Sequence, residues 1–250
     1  MIHSFLLIGQ SNMAGRGFLN EAVEIDSSRI KLLKNGRWQP FFRPINPDRG
    51  FSGVNLAESF AEKYSQKYNV DTGLICCADG GTSLMQWKPG GLLYDNAVNN
   101  ARLAERTSTI AGVLWHQGEA DCSLQYYPTY AKRLTELFNA LRKDLNLYDV
   151  PILIGGLGDF LKDRESSPDL KNYPYINNAL KEVAKNNDMI GFVSARGYAS
   201  NGDNLHFNAK SLHNFGLRYF DEFEKLRKPD KVFAEKPCED DALRTDMELL

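Results

Sequence analysis

Five short apolar runs, separated by stretches of helical periodicity, constrain this chain more than any other feature. They are FLLI (5–8), GLICCA (73–78), IAGVLW (110–115), PILIGGL (151–157) and MIGFVS (189–194). A strand with one wet face alternates apolar and polar residues. A run that is apolar at nearly every position instead suits a strand covered on both faces, as in a parallel sheet. Apolar residues at helical spacing mark 55–68, 126–145, 175–187 and 209–226. This alternation predicts an α/β fold, a three-layer α/β/α sandwich around a five-stranded, mainly parallel sheet. A chain of 250 residues is long enough for one large domain. That domain is expected over 1–227, with 228–250 as a charged, non-periodic tail. The stretch 14–54, rich in Pro, Gly, Arg and Asn, reads as an extended connection over the carboxyl edge of the sheet.

Charge narrows the partners. Lys and Arg total 30 against 32 Asp and Glu, a net charge of −2, and no basic block occurs. Electrostatic attraction to nucleic acid or to an anionic membrane surface is therefore not expected. No apolar run approaches the roughly 18 residues of a membrane span. FLLI is too short for a signal-peptide core and has no basic region before it, so a cytoplasmic location is expected. The four cysteines show no C-x-x-C spacing and read as buried free thiols rather than a zinc site. Cys76 and Cys77, adjacent in a strand-like run, should point to opposite faces. No metal or cofactor is expected, and a homo-oligomer is neither required nor excluded.

In open α/β sheets, ligands bind outside the carboxyl ends of the strands. Four polar or glycine-rich motifs fall there. GQSNMAGRG (9–17) follows the first run, ADGGTSLMQW (78–87) the second, HQGEADC (116–122) the third and ARGYASNGDNLHFN (195–208) the fifth. Ser11 lies in the first. A serine hydroxyl needs a neighbouring base to attack at neutral pH, and donors for the oxyanion it creates. The chain has four histidines. His206 follows Asp203 by three residues, so one turn can hold carboxylate and imidazole together, leaving Nε2 to face Ser11. His116, between Trp115 and Gln117, is a rival base, although a structural or substrate-orienting role suits a strand-end histidine better. His3 starts the first run at the wrong end of the sheet, and His213 lies on the last helix.

Together these motifs resemble the SGNH hydrolases, and more narrowly the carbohydrate-esterase branch that includes acetylxylan esterases and sialate O-acetylesterases. GQSNMAGRG resembles the nucleophile block of that branch, and departs from the G-D-S of the wider superfamily. DGGTS, WHQGE and DNLHFN resemble the later blocks. The resemblance covers roughly residues 2–226 and implies a flavodoxin-like sheet. It implies Ser11 as nucleophile, His206 as base and Asp203 as its orienting acid. Implied oxyanion donors are the Ser11 amide, a glycine amide at Gly80 or Gly81, and the Gln117 side chain. Spacing in the wider superfamily favours Gly80, but two adjacent glycines leave the choice open. Glu119 is expected either to assist Asp203 or to brace Arg16 or another loop. Trp87 is the candidate sugar-stacking ring, while Trp115 reads as core. Arg16 is a candidate reader of a substrate carboxylate, with an ion pair between loops as the alternative.

The implied activity is removal of O-acetyl groups from a carbohydrate, acetylated xylo-oligosaccharides first and O-acetylated sialic acid second. A non-catalytic glycan-binding module would need a missing member of the Ser–Asp–His set, and none is missing. A nucleotide or flavin binder would need a P-loop or G-x-G-x-x-G spacing, which GQSNMAGRG lacks.

Overall fold

The computed structural model describes residues 1–227, so the tail assigned to 228–250 and Cys238 lie outside the described residues. All strands among the described residues join one sheet: β1 (Ile2–Gly9), β2 (Ile30–Lys34), β3 (Arg37–Pro40), β4 (Asp71–Cys76), β5 (Thr109–His116), β6 (Ile152–Gly155) and β7 (Ile190–Val193). Their order is β3-β2-β4-β1-β5-β6-β7. Every neighbouring pair is parallel except β2 with β3.

The five expected strands are present, but the sheet has seven. The additional hairpin, β2–β3, comes from the stretch read as an extended connection. Lysines break the apolar pattern of IKLLK, and β3 is only four residues long. Its turn was nonetheless visible. Asn35 and Gly36 both take positive φ, 51° and 78°, as a two-residue turn between twisted strands requires, and Asn-Gly is its strongest short signal. With Arg37 and Pro40, β3 makes a short edge that discourages pairing with another chain.

The apolar runs are apolar because both faces of the sheet are covered. Leu6 and Ile8 join one core cluster, with residues of α3 (Leu92–Ala104), α4 (Tyr130–Leu145) and α5 (Tyr173–Lys185). Phe5 and Leu7 join the other, with α2 (Ala57–Tyr68) and α6 (Ala209–Leu226). Cys77 packs in the first cluster and Cys76 against the second, the opposite-face arrangement expected of neighbours in a strand. The α6 helix starts where its sequence says it should: the Asn208 side chain accepts the Ser211 N–H at 2.8 Å, a standard N-cap. The α3 helix was not read from the sequence, because its buried stripe rests largely on Ala97, Ala101 and Ala104, with asparagines between.

Strand β1 is central, with β4, β2 and β3 on one side and β5, β6 and β7 on the other, so the chain crosses from one side of β1 to the other and a topological switch point opens at its carboxyl end. There Gly9 has φ 134°, and a Cβ on it would lie 2.1 Å from the His116 carbonyl oxygen. Only glycine lets β1 end tightly against β5 and deliver the next residues to the edge. No helix among the described residues is long and apolar enough to cross a membrane.

Candidate active site

Ser11 opens a one-turn helix, α1 (Ser11–Ala14), directly after β1. Gln10, not Ser11, is the N-cap, and its Oε1 instead accepts N–H bonds from Gly118 and Ala120, both at 3.3 Å. The serine hydroxyl is therefore not engaged in capping. Its Oγ lies 3.0 Å from His206 Nε2. On the far side of the ring, His206 Nδ1 lies 2.6 Å from Asp203 Oδ2.

The protonation of this chain of groups follows from Asp203. Burial disfavours its charged form, but the imidazole and the backbone N–H groups of His206 and Leu205 outweigh that and bring its pKa down to about 2. An ionised carboxylate can only accept, so Nδ1 carries the proton and Nε2 is left to accept the serine O–H. Three groups from two loops, 195 positions apart, thus form a hydrogen-bonded series of the kind that can activate a serine for attack.

Asn12, next to the serine, locks the histidine turn in place. Its Nδ2 donates to the Leu205 carbonyl at 3.1 Å, and its Oδ1 accepts the Phe207 N–H at 3.1 Å, one bond on each side of His206. Glu119 orients the amide by accepting from the same Nδ2 at 2.6 Å. Of the roles considered for Glu119, the geometry matches the brace, but on the serine and histidine loops rather than on Arg16. Burial opposes ionisation of Glu119, yet the His116 imidazole and the Asn12 amide hold its carboxyl below the usual range. His116 Nε2 lies 3.5 Å from Glu119, and the ring is fully buried against Phe207 and Phe215. It faces the Glu119 carboxylate, and among the described residues no hydrogen bond joins it to Ser11.

Several expectations for the surrounding residues need correction. The Gln117 side chain is fully buried, and its amide Nε2 donates to the Thr82 carbonyl at 3.1 Å and to Asp121 Oδ2 at 2.7 Å. Both amide hydrogens are engaged, so Gln117 has none for an oxyanion. The Gly80 N–H donates to Asp48 Oδ2 at 2.8 Å. Gly80 instead provides close approach: a Cβ there would lie 2.4 Å from Arg16 Nη2 and 3.5 Å from Ser11 Cβ. Gly81 is the glycine whose N–H takes no acceptor among the described residues. Trp87 is 1% exposed, packs edge-on to Trp115 and donates its indole N–H to Thr82, so it cannot meet a sugar. Trp115 is core, as expected.

Arg16 is 5% exposed and forms a two-pronged pair with Asp48 at 2.9 and 2.7 Å. Asp48 also accepts the Ser52 hydroxyl at 2.7 Å. Burial works against the Asp48 charge, and these donors hold its pKa below the ordinary value nonetheless. Arg16 is thus an ion pair between loops, not a free reader of carboxylates. Asp48 and the bracing role of Asn12 escaped the sequence reading. Asn12 adjoins Ser11 and could have been suspected on that ground, whereas Asp48 sits in an irregular stretch with no pattern to single it out.

The family model described as carbohydrate esterase, sialic acid-specific acetylesterase, matches residues 1–225. A probable carbohydrate esterase of Arabidopsis thaliana is 30% identical over 240 residues, covering 85% of this chain and 86% of that protein. An X-ray structure of a protein from Arabidopsis thaliana aligns with TM-score 0.78 at 26% identity, covering 89% of this chain and 98% of that one. The crystal structure of NanS aligns with TM-score 0.68 at 18% identity, covering 90% and 97%, a likeness of fold.

Proposed function

Because this chain belongs to the carbohydrate esterase, sialic acid-specific acetylesterase family, we propose that it is a serine esterase that removes O-acetyl groups from carbohydrates, with acetylated xylo-oligosaccharides as its first substrates. The observation that carries the reading is the hydrogen-bonded series Ser11 Oγ, His206 Nε2, His206 Nδ1, Asp203 Oδ2, at 3.0 and 2.6 Å.

In this mechanism His206 takes the Ser11 proton as Oγ attacks the acetyl carbonyl carbon. The negative charge that develops on the carbonyl oxygen meets the backbone N–H groups of Ser11 and Gly81. Collapse of the tetrahedral species breaks the bond to the sugar oxygen, which leaves with the proton from His206. Water, deprotonated by the same imidazole, then attacks the acetyl-serine and releases acetate. Asp203 stays ionised and stabilises the imidazolium formed in each half.

A neutral sugar ranks ahead of O-acetylated sialic acid because Arg16, the cation beside Ser11, is held on both prongs by Asp48. The family description favours sialic acid and keeps it as the second reading. Mass spectrometry of a panel of acetylated xylo-oligosaccharides and O-acetylated sialic acids, after incubation with wild type and Ser11→Ala, tests both. Deacetylation by wild type alone is expected, fastest on the neutral sugars. If wild type hydrolyses simple acetate esters but no acetylated sugar, the reading is wrong.

A further inference from the structure

With Trp87 buried, the site lacks the aromatic surface the sequence assigned to it. Phe51 offers one. Its ring is 71% exposed, on a turn of sequence PDRGFSG in which every other residue is polar, glycine or proline. Scattered exposed apolar residues need no explanation, but this one is held in a defined place. Its turn is pinned to the serine segment by N–H bonds from Gly53 to Gly15 and from Val54 to Gly17, at 3.1 and 2.8 Å. Within the turn, the Arg49 N–H donates to Ser52 Oγ at 3.0 Å. The Arg16 guanidinium lies 5.2 Å from the Phe51 ring centroid, a cation–π contact. That same guanidinium stands across Gly80 from Ser11. The pinned turn therefore presents the ring at the rim of the site, with most of its surface open.

We propose that Phe51 is the platform on which a pyranose ring of the alcohol half of the ester stacks. The face of an aromatic ring is electron-rich, and a pyranose presents a patch of polarised C–H groups to it. A ring carried on a pinned turn binds at lower entropic cost than one on a loose loop, because the backbone beneath it need not be ordered when substrate arrives. The inference rests on the carbohydrate-esterase reading and adds the residue that holds the sugar. Since the ring touches only the alcohol, it should affect the affinity for sugar esters and leave the chemistry at the acetyl group alone.

The test compares two acetate esters, an acetylated xylo-oligosaccharide and ethyl acetate, whose alcohol has no ring. Phe51→Leu removes the aromatic face and keeps an apolar side chain, while Phe51→Trp keeps the face. For Phe51→Leu we expect KM on the sugar ester to rise about tenfold, the scale of one aromatic contact, with kcat nearly unchanged. Turnover of ethyl acetate should be unaffected, and Phe51→Trp should restore sugar affinity. If Phe51→Leu weakens both esters alike, the ring only shields the Arg16–Asp48 pair and the proposal is overturned. Unchanged KM on the sugar ester overturns it too. A wild type active on ethyl acetate and inactive on every acetylated sugar removes the carbohydrate reading itself, and the platform falls with it.

Discussion

The side-chain oxygen of Asn12 accepts the backbone N–H of Phe207 at 3.1 Å, across 195 positions of chain. With the bond from Asn12 to the Leu205 carbonyl, it holds both neighbours of His206 from the residue that follows Ser11. Serine and histidine are thereby positioned by one short side chain rather than by two independent loops. Asn12→Ala removes both bonds and leaves buried partners unsatisfied, at a cost of roughly 1–3 kcal/mol. If that cost falls on the reactive geometry, kcat drops about 10- to 100-fold while KM stays near wild type. Steady-state kinetics with a circular dichroism control checks this, and an unchanged kcat would show that the histidine turn holds itself.

Ser11→Ala should abolish turnover of 4-nitrophenyl acetate and leave the fold intact, because the hydroxyl caps no helix and its only side-chain partner is His206 among the described residues. Wild-type turnover by a natively folded variant would dismiss Ser11 as nucleophile.

Asp203→Asn should be severely impaired, since an amide facing Nδ1 lets the imidazole adopt the wrong tautomer. A comparable change in a well-studied serine protease costs about 10⁴-fold. Glu119→Gln keeps the shape that accepts from Asn12 and should lose much less. A crippled Glu119→Gln beside a near-normal Asp203→Asn would transfer the role of acid to Glu119.

Acyl length should matter steeply. Ser11 is 6% exposed, and of the apolar residues in the neighbouring loops Met13 and Leu84 are core, leaving Met85 half exposed. A longer acyl chain finds no apolar channel built from these residues, so each added methylene forgoes about 0.8 kcal/mol of burial and meets a tight wall. The specificity constant on 4-nitrophenyl esters should fall from acetate to butyrate and be negligible at octanoate. A maximum at butyrate or beyond would instead indicate a lipid esterase.

Stability should carry a pH signature from the far end of β1. His3 is buried, with Nδ1 2.8 Å from the Tyr64 hydroxyl, and burial lowers its pKa from 6.5 to about 4. Between those values the unfolded chain binds a proton that the folded chain does not, so stability rises with pH across that window and is lost as pH falls. Melting temperatures of wild type and His3→Phe at pH 7 and pH 5 test it. The wild type should lose more on acidification, and equal losses would discharge His3.

Much of this was legible in the chain itself, for a physical reason. Strand burial on both faces shows as unbroken apolar runs, and the five runs became β1, β4, β5, β6 and β7. The Asn208 cap and the apolar stripe behind it are local signals, and α6 spans the predicted 209–226. Asp203 and His206 are three residues apart, so a single turn accounts for their bond. What the sequence left undecided are the relations between remote segments. An amide's chemistry does not say which acceptor will claim its hydrogens. Gln117 and Gly80 looked like donors for an oxyanion until the fold brought Asp121 and Asp48 to them. Nor does an aromatic residue's loop say which way its ring will turn: Trp87 packs on Trp115, while Phe51 stays in solvent. Hydrogen-bond competition and side-chain burial are settled by whichever groups the tertiary structure makes neighbours, and for this site those neighbours come from five separate segments of the chain.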